Sequence, residues 1–375
     1  MPGIYIHIPF CSQACHYCDF HFSTSLKIKN RVISCINKEI KLKKTYLKDP
    51  LIESVYFGGG TPSLLSSKLI NKILSSIRSS YKLAQNVEIT IEANPEDISK
   101  NKIDNWTQMG INRLSLGVQS FRDSDLKYMN RSHNCNQIIS ALDLLISSKI
   151  DNISIDLIYG FPQLTDSFWV DNLNKAIKFN VQHISCYCLT VEKQTPLYHF
   201  IKNGTAKPLN PQQGASQFLN SKEILKNNGY IHYEISNFSK PGFESVHNRN
   251  YWNRSHYIGI GPSAHSYNGT SRQWNLSNNT KYCESIENNR SYYNVEILSK
   301  KNIINEYILT NIRTSNGIDL KSLSSYMNND EYKRFKNKMS ELMQSDFLTI
   351  HKDKLLLSEK GMLFADSISE DLFII

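Results

Sequence analysis

Short apolar runs punctuate the first half of the chain. They fall at residues 3–8, 54–57, 87–92, 113–116, 153–158 and 183–187. Ile, Val, Leu and Tyr dominate them, and such runs between polar stretches read as strands. The gaps of about 20 to 45 residues each suit one crossover helix. Helical patterning is clearest at 31–47, 66–80 and 137–148. In the second of these, Leu65, Leu69, Ile73 and Ile77 share a face. Six β-α units in succession predict a parallel sheet, either open or rolled into a barrel.

The pattern changes near Thr190. "KNGTAKPLNPQQG" is a linker-like turn region. A helix at 212–227, a strand at 231–235 and an irregular aromatic stretch to about Trp274 are expected after it. From Ile303 the chain reads as helices and then two apolar runs, 347–351 and 355–357, around the turn "KDK". A last helix carries "EKGMLFADSI". Helices followed by a two-stranded wing suggest a small α+β, winged-helix-like domain. The expected division is 1–205, a β/α domain; 206–295, a connecting region; and 296–375, the C-terminal domain.

Composition adds limits. The 375 residues are 40% hydrophobic and 21% charged, as in ordinary globular proteins, and can form more than one domain. The net charge of +9 could suit nucleic acid, but Lys27, Lys29, Arg31, Lys38, Lys41, Lys43 and Lys44 are spread along candidate helix faces. A solvated surface is the reading taken. No window holds the eighteen or so apolar residues of a membrane span. Residues 1–10 lack a basic segment and a long apolar core of a signal peptide, so a soluble, cytoplasmic protein is expected.

There are eight cysteines. Cys35, Cys135, Cys186, Cys188 and Cys283 are scattered and read as small buried hydrophobes. Cys11, Cys15 and Cys18 crowd into "CSQACHYC", directly after the first strand. A structural zinc site takes four ligands, usually in two CxxC-like halves, and no second half exists here. His7, His16 and His21 could complete one. Three thiolates on one loop suit a 4Fe–4S cluster better, because each iron takes one thiolate and the fourth iron then stays open.

Other polar residues fall at the carboxyl ends of the same strands. "YFGGGTPSLL" places Gly58, Gly59, Gly60 and Thr61 after the second strand, where glycines allow a backbone to approach a ligand. "TIEANPE" places Glu92 and Asn94 after the third. Gln119 follows the fourth, Arg131 lies in "KYMNRSH", and Asp156 lies in the fifth. Ligands bind at that end of both barrels and open sheets. Further on, "HNRNYW" joins an imidazole, His247, to Asn248 and to the flat surfaces of Tyr251 and Trp252, with Arg249 and Arg254 close by. The plainer alternative for this motif is an aromatic core cluster with a hydrogen-bonded histidine.

The CxxxCxxC spacing, with Tyr17 before the third cysteine, resembles the signature of the radical S-adenosylmethionine (SAM) superfamily. "IYIHIPFC", "GGGTP", "IEANPE", "LSLGVQSF" and "IDLIYGFP" resemble, more narrowly, the oxygen-independent coproporphyrinogen III oxidase-like group, from Tyr5 to about Ile350. This resemblance implies a partial (β/α)6 barrel and a 4Fe–4S cluster on Cys11, Cys15 and Cys18, with SAM on the open iron. SAM would be contacted by Tyr5, Gly59, Gly60, Thr61, Glu92, Gln119, Arg131 and Asp156, with Thr190 a further candidate. Thr-Pro stands where other superfamily members have Glu in a GGE-like element.

That group holds both oxidases and HemW-type haem chaperones. The oxidases resemble CxxxCxxCxC, whereas Phe20 occupies the last position here, and they carry a long extension before the cluster, whereas ten residues precede Cys11. "HNRNYW" matches the HNxxYW motif linked to haem binding in the HemW type. The resemblance therefore implies a haem carrier, with His247 as iron ligand, Asn248, Tyr251 and Trp252 beside it, and His256 and His265 as rival ligands. Pro262 and Ser263 depart from the glycine usual in the family. The alternative is an oxidase-like radical SAM enzyme. Expected partners are haem, a haem-accepting protein, an electron donor to the cluster, membrane proteins at the periphery and a second copy in a homodimer. Nucleic acid is not expected.

Overall fold

A computed structural model describes residues 2–47 and 51–374. The six anticipated strands form β1 (Gly3–Ile8), β2 (Leu51–Gly59), β3 (Lys82–Ala93), β4 (Arg113–Gln119), β5 (Asn152–Tyr159) and β6 (His183–Cys188). They pair in sequence order and in parallel. The crossover helices include Lys29–Leu42, Ser67–Ser80, Cys135–Ile146 and Asp166–Lys178. Local chemistry sets their starts. Asn134 and Gln137 form a reciprocal capping box, and the Thr165 hydroxyl accepts from Phe168 N.

The segment 206–295, expected as a connecting region, supplies both ends of this sheet. On the β6 side lie β8 (Asn237–Ser239), antiparallel to β6, and outside it β7 (Ile231–Glu234), antiparallel to β8. On the β1 side, β9 (Tyr257–Ile260) adds a seventh parallel strand, followed by antiparallel β10 (His265–Tyr267), β11 (Ser271–Asn275) and β12 (Tyr293–Ile297). The aromatic stretch read as irregular is thus a helix, Val246–Trp252, and the four strands β8 to β11. Isolated aromatic residues hid the strands, because each is only three to five residues long.

Alternation along the parallel strands separates two faces. Ile4, Ile6, Val55, Phe57, Ile91, Leu114, Leu116, Ile155 and Ile184 point to the helices and are fully buried in one apolar core. Tyr56, Glu92, Arg113, Ser115, Asp156, Ser185 and Tyr187 occupy the intervening positions and line a cavity inside the curved sheet. The lumen of this partial barrel is therefore polar, and the core lies outside it.

The C-terminal unit has its own core, built on Ile304, Ile308, Leu323, Phe335, Leu342 and Leu355. Helices Lys300–Asn311, Leu320–Tyr326 and Asn329–Gln344 pack with a three-stranded antiparallel sheet: β13 (Ile318–Asp319), β14 (Leu348–His351) and β15 (Lys354–Leu357). The expected wing is the hairpin β14–β15. The single final helix is instead two short ones, Glu359–Met362 and Ala365–Asp371. Among the described residues no helix is long and apolar enough to cross a membrane.

Candidate functional site

A cavity of about 460 Å³ opens at the carboxyl ends of the parallel strands. Cys11, Cys15 and Cys18 all line it. Their loop is closed at its base, where Cys11 N donates to Ser23 O (3.1 Å) and Ser23 N to Pro9 O (3.0 Å). Its far side is tied to the turn after β4: Gln13 Nε2 donates to Asn130 O (3.0 Å) and Asn130 Nδ2 to Ala14 O (2.7 Å). The three histidines that could have joined a zinc site are engaged elsewhere. His7 Nε2 pairs with His21 O, His16 Nδ1 with Tyr128 O, and His21 Nε2 with Asn279 Oδ1. Among the described residues no three His, Cys, Asp or Glu side chains surround a single-ion position. Burial pushes the Cys11 thiol up and the Cys18 thiol to about 12, where Cys15, Cys11 and Asp19 add to it.

The glycine triplet is set by packing rather than by open space. A Cβ on Gly60 would meet Phe10 O at 2.6 Å and Ile8 O at 2.8 Å. Gly59 has φ +104°, and a Cβ on it would meet the His7 ring at 2.6 Å, while one on Gly58 would meet Tyr56 at 2.9 Å. Only glycine lets β2 end so close to β1 and its loop. Gly60 N donates to Ile8 O (2.9 Å) and Thr61 N to Phe10 O (2.7 Å), so this turn buttresses the cysteine loop. Gly59, Gly60 and Thr61 also line the cavity.

Glu92 and Asp156 stand in the wall. Glu92 accepts from Tyr56 OH (2.8 Å) and Gly59 N (3.2 Å). Its carboxyl is raised to about 7, chiefly by burial, with Asp156 adding and Tyr56, Gly59 and Arg113 opposing. Burial also raises Asp156, against hydrogen bonds from Ser185 and Ser115. Arg131 bridges the loop and the sheet: Nη1 lies 3.3 Å from Cys15 Sγ, and Nη2 donates to Asn94 Oδ1 (2.6 Å) and Gly117 O (3.3 Å). Arg131 Nε is buried with no hydrogen-bond partner. Gln119 follows a register shift between β4 and β5 and has φ 65°. Such left-handed strain in a non-glycine residue concentrates at functional sites. Thr190 is also on the cavity wall. Tyr5 stands one layer back, stacked on Tyr56 at 6.1 Å.

"HNRNYW" forms the helix Val246–Trp252, and of its candidates Asn248 reaches the cavity wall. His247 is 2% exposed. Its Nδ1 pairs with Ser54 Oγ (2.8 Å) and its Nε2 with Tyr251 OH (3.1 Å). The ring stacks on Tyr56 at 4.9 Å, and burial lowers it to about 3. Tyr251 meets Tyr257 edge-on at 4.5 Å, and Trp252 is half-buried. His265 is exposed and stacks on Trp274, and His256 abuts Gly269. Sequence reasoning missed Tyr56, Arg113, Ser115, Ser185, Tyr187 and Cys188 as cavity residues. The alternation in "SVYF", "RLSLGVQ" and "HISCYC" was the signal for most of them.

The Radical SAM superfamily matches residues 5–176, and the HemN C-terminal domain matches residues 298–364. Coproporphyrinogen III oxidase (HemN) from Escherichia coli, a radical SAM enzyme, superposes with a TM-score of 0.86 over 99% of this chain and 90% of its own, at 20% identity. That likeness defines the fold: a radical SAM barrel with a HemN-type C-terminal domain. Proteins named heme chaperone HemW are similar over nearly their whole length. The Lactococcus lactis protein is 31% identical over 98% of this chain and 96% of its own. The Bacillus subtilis protein is 31% identical over 97% and 93%, and that of Buchnera aphidicola from Acyrthosiphon pisum 34% over 98% and 97%. The chain belongs to the HemW family of radical SAM proteins.

Proposed function

We propose that this protein is a haem chaperone: it binds haem and passes it to an acceptor protein, and carries a 4Fe–4S cluster with SAM at the open iron. The observation that carries the cofactor part is the single cavity that gathers three thiols, two buried carboxylates and an under-partnered arginine. The residues present suit both groups. Three thiolates from Cys11, Cys15 and Cys18 can hold three irons. When bound, the cluster supplies an open iron for SAM and an electron. Glu92 and Asp156 are acceptors for ribose hydroxyls or an ammonium, and Arg131 is a partner for a carboxylate. Tyr5 supports the wall through Tyr56, while Gly59, Gly60, Thr61 and Gln119 shape it. Glu92 and Asp156 are shielded by the sheet around them, and pairing of SAM with such buried carboxylates is stronger than in bulk water.

The haem part rests on the HemW family and on the "HNRNYW" segment. His247 is proposed as iron ligand, with Asn248, Tyr251 and Trp252 around it. A haem-accepting protein, an electron donor and a cytoplasmic location belong to the same reading, as does a division into barrel, haem-motif segment and C-terminal domain at residues 205 and 295. The test is an anaerobic haem titration of cluster-loaded protein, followed at the Soret band. Saturable binding of one haem per chain, weakened by His247→Ala, supports the reading. Absence of specific binding, together with SAM cleavage on coproporphyrinogen III, replaces it with the oxidase-like enzyme. Cys11→Ala should abolish the cluster's broad visible absorbance, and a full cluster in that variant would refute the site.

A further inference from the structure

His247 cannot take an iron in the conformation described. An axial bond needs a free ring nitrogen, and both nitrogens are hydrogen-bonded. It also needs open space beside the ring. Instead Tyr56 covers one side at 4.9 Å, and even a methyl group on Gly3 would stand 3.2 Å from Nδ1. The helix must move before a porphyrin can reach this histidine.

What holds the helix shut is visible at its amino end. Glu88, on β3 and 7% exposed, accepts from the backbone N–H of Val246 (3.0 Å) and His247 (3.0 Å), and from Ser245 Oγ at 3.5 Å. These are the first donors of the helix, which have no partner within it. A helix of seven residues has little stability of its own. Across Glu88 stands the buried Arg113, with Nε 4.0 Å from the carboxylate and without a hydrogen-bond partner. At the other end the chain turns through Arg254, whose φ of 54° is left-handed. The segment is thus anchored at one end and bent sharply at the other.

We infer that Glu88 is a positioning residue that latches the helix Val246–Trp252 over the barrel lumen, and that its release exposes His247 to haem iron. This rests on the haem reading above and adds the step that makes the ligand available. Apparent affinity and association rate then scale with the small fraction of open molecules. Weakening the latch raises that fraction.

The experiment uses the full-length, cluster-loaded protein and haem under anaerobic conditions, in stopped flow at the Soret band. Glu88→Gln keeps the shape but removes the charge and one acceptor. Haem association should become at least about tenfold faster, with little change in dissociation, and Glu88→Asp should restore slow association. A purely structural role would move the melting temperature without this split between the two rates. Hydrogen exchange on the wild type provides a check free of any variant: the amides of Val246 and His247 should lose protection when haem binds. Equal association rates for wild type and Glu88→Gln, or unchanged protection of those amides in the haem complex, would overturn the latch while leaving the haem reading intact. Failure of the wild type and of Glu88→Gln to bind haem at all would instead remove the haem reading, and the latch with it.

Discussion

Glu92 offers a test in which function and stability oppose each other. Its carboxyl is held at about 7 instead of 4.5, because burial disfavours the charged form and Asp156 lies near. The folded state binds this proton more tightly than the unfolded chain does. The group's contribution is therefore fully present below about pH 4.5 and is lost as pH rises through about 7. At 1.36 kcal/mol per tenfold in proton affinity, the full loss is about 3 kcal/mol. Glu92→Gln removes the titration. The amide can still accept from Tyr56, but the Gly59 N–H loses its carboxylate partner, at a cost of about 1 kcal/mol. The variant should thus be about 2 kcal/mol more stable than the wild type at pH 8, and within about 1 kcal/mol of it at pH 5. Urea unfolding of cluster-free protein at both pH values measures this. SAM binding, by equilibrium dialysis of the cluster-loaded forms, should meanwhile weaken about tenfold, the loss of one hydrogen bond to a charged group. A variant less stable than the wild type at pH 8, or a difference that does not change with pH, would refute the reasoning.

Three further outcomes follow from the packing. Gly60→Ala drives a methyl group into the backbone of Phe10 and Ile8, at 2.6 and 2.8 Å, and should cost about 1–3 kcal/mol; because that backbone leads directly into Cys11, iron and sulfide content after reconstitution should fall while far-ultraviolet circular dichroism stays unchanged. Lys43→Met removes the ammonium 3.2 Å from the fully buried Glu39 and leaves that carboxylate with the neutral donors Gly261 N, Asn275 Nδ2 and Tyr282 OH, and should cost about 3 kcal/mol in urea unfolding. Adding Glu39→Gln should recover at least about 1 kcal/mol, whereas simple additivity of the two changes would rule out the coupling. Arg131→Lys cannot reach Cys15 and Asn94 together, so SAM affinity should drop about tenfold in dialysis with the fold intact.

The barrel was legible because its signal is local. Each of the six strands is a continuous apolar or alternating run, and the observed strands contain or adjoin every one anticipated. The cysteine loop was legible for the same reason: its spacing is fixed over eight residues. The lumen was legible only in part, at Glu92, Gln119 and Asp156, although it is written in period two. Ser115 and Ser185 were hidden among branched apolar neighbours, where the apolar run masks the alternation. The Glu88–Arg113 pair was beyond reach, since it depends on which residues of separate strands face each other across the sheet. The glycines after β2 stand out in the sequence, but the close packing of β1 and its loop against them depends on contacts across the sheet. His247 shows the limit most clearly. A motif of six residues names an imidazole, but the groups that occupy its two nitrogens, Ser54 and Tyr251, include one 193 positions away.

The place of β1 in the sheet has a consequence for synthesis. Gly3 pairs with Ser54 on one side and with Tyr257 on the other, and the cysteine loop is fastened through His21 to Asn279. The thiols therefore leave the ribosome long before the strand and side chain that complete their surroundings. At translation rates of about 5–20 residues per second, that delay is on the order of 10 to 50 s. Contacts of such sequence separation also form slowly once the chain is free. Throughout that interval three cysteines travel on a nascent chain whose cage does not yet exist. The surroundings of Cys11, Cys15 and Cys18 are thus completed only after most of the chain has been made.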